Sequence, residues 1–461
     1  MAPSHYLSPA EAGKLRFVLI DDPPASLQSL SICAQNMGAI SLTKAAGFPD
    51  AMRRLRERSF DVILSDYLLG DGRSGQQLLE ELRRFDLVPD ETVFIMVTAE
   101  QTYEQVLSAM ELVPDDYILK PFSGEQLRVR IERAILKKRF FAEVYFLRRE
   151  KRFDAALERL DALAAEKSIY GVDILRLKAE TYQVAGQPDR ARALYEEIMC
   201  GFEYPWAQVG IAQSYRVQEK YEEAKALLDE VALNSPNYLA AQDLQAQIAL
   251  DLGDPEGAAQ ILEKLSARTP RNYVRKRQLA FAALASGQAD QALEVMNDVL
   301  ANDSVPGAVT EEDRQQAARA AIAADNPEAA GKALGGFDPD LLSELQPDDR
   351  IARIAAGLRI GAPGAEEYFR THRDWVRDCV FKPLTTMDVV GAALQSNDKA
   401  LALSHTERLL ETGDIRQIFK AMHRMYVDAG LEDEFRALQR RVALARAAAV
   451  KVVDSEAARL I

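Results

Sequence analysis

Cysteine is rare in this sequence, with three residues in 461. Cys33, Cys200 and Cys379 lie far apart and none belongs to a CxxC pair. That excludes a disulfide framework and the usual zinc sites; buried thiols in a reducing compartment are expected. Histidine is almost as rare, with four residues, and His372, His405 and His423 stand at no metal-binding spacing. Trp206 and Trp375, the two tryptophans, read as packing residues rather than as a ligand cage. Positive charge is in deficit: 57 Lys and Arg face 71 Asp and Glu, a formal net charge of −14. A phosphate backbone attracts a basic face and repels this average, so nucleic acid is not an expected partner. Long apolar runs are missing as well, and none reaches the roughly 20 residues of a membrane-spanning helix. The opening MAPSHYLSPAEAGK has no basic stretch leading into an apolar one, so neither a membrane nor secretion is expected. The expectation is a soluble, cytoplasmic protein with a flexible tail over residues 1–13.

Apolar residues make up 48% of the chain, enough for real cores, and the length calls for two or three domains. Up to about residue 138 the pattern alternates strand and helix. Continuous apolar runs mark strands covered on both faces. They occur at residues 17–20, at 62–64 in FDVILSD and at 93–97 in VFIMVTA; YIL before Lys120 and the segment 39–44 supply two shorter strands. Helical patterns lie between them at 25–37, 49–58, 75–85, 102–111 and 123–138. This alternation predicts an α/β domain with a doubly wound, five-stranded parallel sheet. In such a sheet the site lies beyond the carboxyl ends of the strands.

Those ends carry chemistry. The first strand runs into Asp21 and Asp22, the third ends on Asp66, the fourth on Thr98, and the fifth on Lys120 before Pro121. One parallel sheet gathers them at one rim. Clustered carboxylates repel one another. A hard divalent cation relieves that repulsion, and Mg2+ fits, because it takes one or two carboxylates and leaves room for a phosphoryl group. The set suits phosphoryl transfer to a carboxylate. Asp66 is then the nucleophile, the metal and Lys120 neutralise phosphoryl charge, and the Thr98 hydroxyl donates to phosphoryl oxygens.

LIDD, the Asp66 that closes FDVILSD, VTA and DDYILKPF, in this order and at these separations, resemble the receiver domains of two-component response regulators over about residues 14–138. The resemblance implies a flavodoxin-like fold and a phosphoacceptor role for Asp66, fed by a histidine kinase or phosphotransfer protein. It implies an Mg2+ site of Asp21, Asp22, Asp66 and the backbone carbonyl of Leu68. It also implies Thr98 and Lys120 as the catalytic companions of Asp66, with Tyr117 as an aromatic switch that follows Thr98. The face formed by the fourth helix, fifth strand and fifth helix becomes the surface for signalling or for a homodimer. The loop YLLGDGRSG departs from the family pattern, with Gly70 in place of proline and its closing Gly75 one residue late. Ahead of DDYILKPF, Val113 and Pro114 stand where small residues are commoner.

Beyond residue 138 the strands vanish and a repeat takes over. EKYEEAKALLDEVALNSP, GDPEGAAQILEKLSARTP and GQADQALEVMNDVLANDS begin at 219, 253 and 287, a constant offset of 34. They superpose Ala224, Ala258 and Ala292; Leu228, Leu262 and Met296; and Val231, Leu265 and Val299. Upstream, Ala212, Ala246 and Ala280 keep the same phase, and an earlier copy from Gly186 is shifted by one residue. The pattern resembles the tetratricopeptide repeat (TPR). It implies an all-α region, an α-solenoid of helix hairpins with small residues where helices cross. Tyr182, Tyr195, Tyr215, Tyr221 and Leu228 are expected to fill the layers between neighbours. Residues 139–305 form the expected TPR repeats, and 306–461 divergent TPR-like helical repeats with a C-terminal capping helix over 433–453. Residues 151–163 read as the second helix of a first repeat whose first helix continues the receiver's last one.

The combined reading is a phosphorelay response regulator with a TPR output that holds a protein or peptide in its groove. It has no DNA-binding domain and no turnover beyond its own phosphotransfer and dephosphorylation. No GGDEF-like or HD-like signature, kinase Gly-rich loop or helix-turn-helix pattern is found. The alternative is a phosphate sink or modulator of a kinase or of another regulator. A Mg2+-dependent phosphatase is less favoured, because such chemistry usually needs a second acid two residues past the nucleophile, where Leu68 stands.

Overall fold

The computed structural model describes residues 9–69, 74–84, 87–99, 114–166, 168–200, 204–270, 272–301, 309–412 and 416–457. The chain divides into two compact units, one of residues 1–245 with 264–274, the other of 246–263 with 275–461.

The first unit opens with the sheet. Its strands are β1 (Arg16–Ile20), β2 (Ser41–Ala45), β3 (Val62–Asp66), β4 (Val93–Thr98) and β5 (Asp116–Leu119). They are all parallel and stand in the order β2-β1-β3-β4-β5. β3 and β4 are buried from end to end, as their continuous apolar runs require. Phe17, Leu19, Leu64, Ile95 and Val97 face the helices Pro24–Asn36 and Gly124–Arg149 in one apolar cluster. Side chains alternate along a strand, so Val18, Ile20 and Ile63 turn to the other face, where they are equally buried. The expected helix at 102–111, and with it part of the signalling face, lies outside the described residues. Just before β1, Pro9–Ala12 is a short helix; Ala12 and Leu15 are buried, and Glu11 lies 3.5 Å from Arg139.

The helix Gly124–Arg149 links the sheet to the helices that follow. Ser123 caps it, accepting from the Gln126 N–H while Gln126 returns a bond to the Ser123 N–H. No proline or glycine interrupts it over 26 residues. Leu127, Ile131 and Ile135 pack on the sheet. Phe141, Val144 and Leu147 pack with Leu160 and Leu163 of the next helix, Phe153–Ala165. Lys138 lies 3.1 Å from Asp115, and Arg149 lies 3.7 Å from Glu91.

From this point each first helix ends in the same way. A residue with positive φ stands at Lys151, Gly186, Glu219, Gly253, Gly287, Asp325, Gly361, Asn397 and Gly430. The next N–H reaches back to a carbonyl five residues earlier, as in Gln187 to Tyr182, Asp254 to Ala249 and Asp398 to Ala393. This is the Schellman stop, and it turns the chain into the second helix. The turn therefore recurs beyond residue 305, where side-chain phase had faded in the sequence.

The superposed positions behave as packing residues. Ala224, Ala258 and Ala292 have no exposed surface, and Leu228, Leu262, Met296, Val231, Leu265 and Val299 are buried with them. Ala212, Ala246 and Ala280 are buried as well. Of the expected layer fillers, Tyr195 and Leu228 are buried, but Tyr182, Tyr215 and Tyr221 are only half-buried. Arginines occupy the outer faces of two of them: Arg190 lies 5.9 Å from the Tyr182 ring centre and Arg192 lies 5.3 Å from that of Tyr215. Trp206 packs edge-on to Tyr195, and Trp375 to Phe381. Cys200 corrects the expectation of buried thiols. It caps the helix Pro188–Met199 and is exposed, whereas Cys33 and Cys379 are half-buried.

The second unit is helical throughout its described residues. Its largest apolar cluster runs from Leu342 to Val442 and closes around Phe369, Met422, Tyr426 and Phe435. The expected capping helix over 433–453 lies within Glu432–Ala457, which Gly430, with positive φ, separates from the preceding helix Phe419–Asp428. His405 is buried and bonded to the Val376 carbonyl at 3.1 Å, while His372 stacks on Tyr368 and His423 lies 3.2 Å from Glu432. These are satisfied histidines.

Candidate functional site

Because all five strands run the same way, their carboxyl ends meet at one rim. Asp66 is the last residue of β3 and Thr98 the last of β4. Asp21 follows β1, and its N–H still donates to the Ala45 carbonyl at 3.3 Å. Lys120 follows β5, and its N–H donates to the Thr98 carbonyl at 2.6 Å. The Lys120–Pro121 peptide is cis.

The side chains converge on Lys120. Its Nζ donates to Asp66 Oδ1 at 2.6 Å and to Asp21 Oδ2 at 2.9 Å. Ser26, in the first turn of the helix Pro24–Asn36, donates from its hydroxyl to Asp21 and accepts from Lys120 Nζ at 3.2 Å. The remaining Asp66 oxygen, Oδ2, accepts the Leu68 N–H at 2.8 Å. Asp21 is 1% exposed and Asp66 8% exposed. Two carboxylates so far from water need a countercharge in contact, and Lys120 supplies it.

Burial pushes the Asp66 carboxyl above its usual range. Lys120 pulls it back by hydrogen bond and charge without cancelling the rise, to which Asp21 adds. Burial lowers the proton affinity of Lys120, but the bonds and charges of Asp66 and Asp21 outweigh it. The ammonium is therefore held above its ordinary value.

Of the residues read from the sequence, Asp21, Asp66 and Lys120 come together. Thr98 is buried one strand over, where β4 pairs its neighbour Val97 with Asp66. Tyr117 is half-buried on β5, paired with Met96. Asp22 is exposed and does not join the other two carboxylates: among the described residues no group of three or more His, Cys, Asp or Glu is set to hold a metal ion. Asp21 is buried directly after β1, whereas Asp22 lies exposed in the bend that leads into the helix Pro24–Asn36. At Leu68 it is the N–H that meets Asp66. The donor set is still all oxygen, with two carboxylates converging and a third one residue away, and that composition suits a hard divalent cation.

Two residues of the site went unread in the sequence. Ser26 bridges Asp21 and Lys120, and its only sequence signal is a place in the first helical turn after the acidic pair. Ser65 donates to the Asp66 carbonyl at 3.0 Å from inside β3. Gly75 packs under the same carbonyl. A Cβ added there would stand 2.3 Å from the Asp66 carbonyl oxygen and 2.7 Å from Ser65 Oγ. At Gly75, therefore, only a residue without a side chain fits against the phosphoacceptor candidate.

A family model described as a response regulator receiver domain matches residues 17–132, and one described as a tetratricopeptide repeat matches residues 249–306. The phosphate regulon transcriptional regulatory protein PhoB of Pseudomonas aeruginosa is 32% identical over 121 residues, which is 26% of this chain and 52% of that protein. The chain thus spans about half the length of the curated relatives it matches. A solved structure titled BeF3 Activated DrrB Receiver Domain is 27% identical, with 26% of this chain and 97% of that one covered and a TM-score of 0.24. A tetratricopeptide repeat protein from Parabacteroides merdae is 12% identical, with 58% of this chain and 98% of that one covered and a TM-score of 0.38.

Proposed function

Because this chain carries a response regulator receiver domain followed by tetratricopeptide repeats, we propose that it is a phosphorelay response regulator switched at Asp66, with the repeats as a protein-binding output. The observation that carries the reading is the shared ammonium of Lys120, 2.6 Å from Asp66 and 2.9 Å from Asp21. It holds the Asp66 carboxylate at the rim formed by the carboxyl ends of the strands, next to a cation that can follow charge onto an incoming phosphoryl group. The donor is a phosphohistidine on a kinase or phosphotransfer protein. An Asp66 oxygen attacks phosphorus, the P–N bond breaks, and the imidazole leaves with the electron pair and takes up a proton. The product is an acyl phosphate on Asp66.

Asp21, Asp22, Asp66 and the Leu68 carbonyl would hold Mg2+, which when bound neutralises the carboxylates and the phosphoryl oxygens. Lys120 then has its contact with the new phosphoryl group. Thr98 donates to a phosphoryl oxygen, and Tyr117 follows Thr98. The output follows from the helix Gly124–Arg149, which packs on both the sheet and the first repeat. A change at the rim reaches the repeats through a continuous helix rather than a loose linker.

The test is labelling of the full chain with acetyl phosphate and Mg2+. Hydroxylamine-labile phosphate on the wild type, lost in Asp66→Asn and on removal of Mg2+, is expected. Equal labelling of the Asp66→Asn protein refutes the switch. Capture of a partner by the repeats, compared with and without the phosphodonor, tests the output.

A further inference from the structure

The second unit holds an open cavity of about 540 Å³. Its floor is made by Ala318, Ala352, Ala355 and Ala392, with Met387 and Met425 beside them. Small side chains on successive helices leave room there that larger ones would fill. At Gly391 a Cβ would stand 2.7 Å from Met425 Cε and 4.0 Å from Arg359 Nη1. Glycine at that position lets both side chains lean into the space.

The charges of the lining are not arranged to cancel. Arg319 and Asp388 form a two-pronged pair on the floor, with Nη2 to Oδ2 at 2.6 Å and Nε to Oδ2 at 2.9 Å, and their side chains are 9% and 12% exposed. That pair is internally neutral. Arg359, Lys420 and Arg424 line the same cavity, all exposed; among the described residues none of them makes an ion pair, although the charge of Arg359 also acts on Asp388. Glu256 and Asp428 are the remaining charged residues of the lining. Setting the floor pair aside leaves three cations against two carboxylates, in a chain whose net charge is −14. In a chain with surplus acid, three exposed cations gathered around one apolar hollow, none of them in an ion pair among the described residues, are a place for an anion from outside.

We infer that this cavity binds a small amphipathic organic anion, with its carboxylate, sulfonate or phosphate head among Arg359, Lys420 and Arg424 and its apolar body on the alanine and methionine floor. The size is that of a small-molecule site, mostly apolar with a few convergent polar groups. The apolar floor, bounded by the Arg319–Asp388 pair, suits a compact ligand better than an extended peptide. The site is lined by residues of the second unit alone, and its test needs no phosphorylation at Asp66.

The test uses the full chain and the fluorescent probe 1-anilinonaphthalene-8-sulfonate, with octanoate as competitor and uncharged N-phenyl-1-naphthylamine as control. One saturable site per chain is expected, displaced by octanoate and taking the sulfonate in preference to the uncharged probe. The double variant Arg359→Glu with Arg424→Glu should weaken binding by about tenfold or more, as two reversed charges close to the head require. Arg359→Lys with Arg424→Lys should retain the site, and Arg56→Glu, on a receiver helix, should leave it unchanged. A retained thermal transition shows that each variant is folded. If the double variant does not fold, Lys420→Glu alone carries the same expectation of weaker binding. Absence of a one-to-one site, equal binding by the charge-reversed variants, or failure of octanoate to displace the probe overturns the inference. So does displacement by a ten-residue polyglutamate peptide where octanoate has no effect, which would make the hollow a peptide dock.

Discussion

Lys120 serves two carboxylates at once, with Asp66 at 2.6 Å and Asp21 at 2.9 Å from one ammonium nitrogen. The three reach this point from the ends of different strands, and none is more than about a quarter exposed. Removing the cation leaves two buried charges facing each other. Lys120→Met is therefore expected to lower receiver stability by about 3 kcal/mol. Urea unfolding followed by circular dichroism measures this, and added Mg2+ should recover more stability in the variant than in the wild type.

Gly75→Ala tests the close packing of Gly75 against Asp66. The new methyl would meet the Asp66 carbonyl, Ser65 Oγ and Met96 Sδ all within 3 Å. Overpacking of this kind costs about 1–3 kcal/mol. A lowered unfolding midpoint together with slower labelling by acetyl phosphate is expected. An unchanged midpoint would show that the backbone at Gly75 makes room for the methyl at no cost.

The repeats make a sharper packing test. A Cβ at Gly210 would stand 2.5 Å from the Tyr195 ring, which is itself 3% exposed. Gly210→Ala should destabilise the first unit by about 1–3 kcal/mol. In the Tyr195→Leu background the same substitution should cost clearly less, and a double-mutant cycle by denaturant unfolding reads the difference.

His405 predicts an acid-sensitive second unit. It is 2% exposed, and burial, reinforced by Arg408, pulls its pKa from 6.5 to about 4 against the opposing bond to the Val376 carbonyl. Once unfolded the ring takes a proton near 6.5, but while folded it does so only near 4. Between these values the unfolded state binds more protons, so stability present above pH 6.5 is lost as pH falls toward 4. This histidine accounts for about 3 kcal/mol across that window. His405→Gln should show a shallower fall in thermal midpoint from pH 7 to 4 than the wild type.

Arg319 and Asp388 predict non-additivity. Arg319→Met alone strands a buried carboxylate and should cost about 3–5 kcal/mol, whereas Arg319→Met with Asp388→Leu should cost much less. Thermal unfolding of the three proteins checks it, and equal losses would place the charge pair in water.

The strand ends were legible from the sequence because the chemistry is local to each. FVLI before Asp21, VILSD closing on Asp66 and YIL before Lys120 are buried strands whose ends parallel pairing must bring to one rim. The alanine and leucine phase of 219–304 was legible for a similar reason, since a fixed period repeats one packing problem. The helix stops were less so. Five of the nine positive-φ positions are glycines, but Lys151, Glu219, Asp325 and Asn397 adopt the same turn. There the hydrogen bond back into the helix and the packing of the next one outweigh the side chain's own preference.

What the sequence determined by itself is the parallel sheet, its acidic rim and the helical repeat, because periodicity and strand-end chemistry follow from neighbouring residues. Tertiary structure alone decided that Lys120 sits between Asp21 and Asp66 while Asp22 faces water, and that Ser26 joins them. It alone brought Arg319 to Asp388, 69 residues away, beneath an open cavity. These contacts depend on how separate elements settle against one another, and local pattern carries no record of that distance.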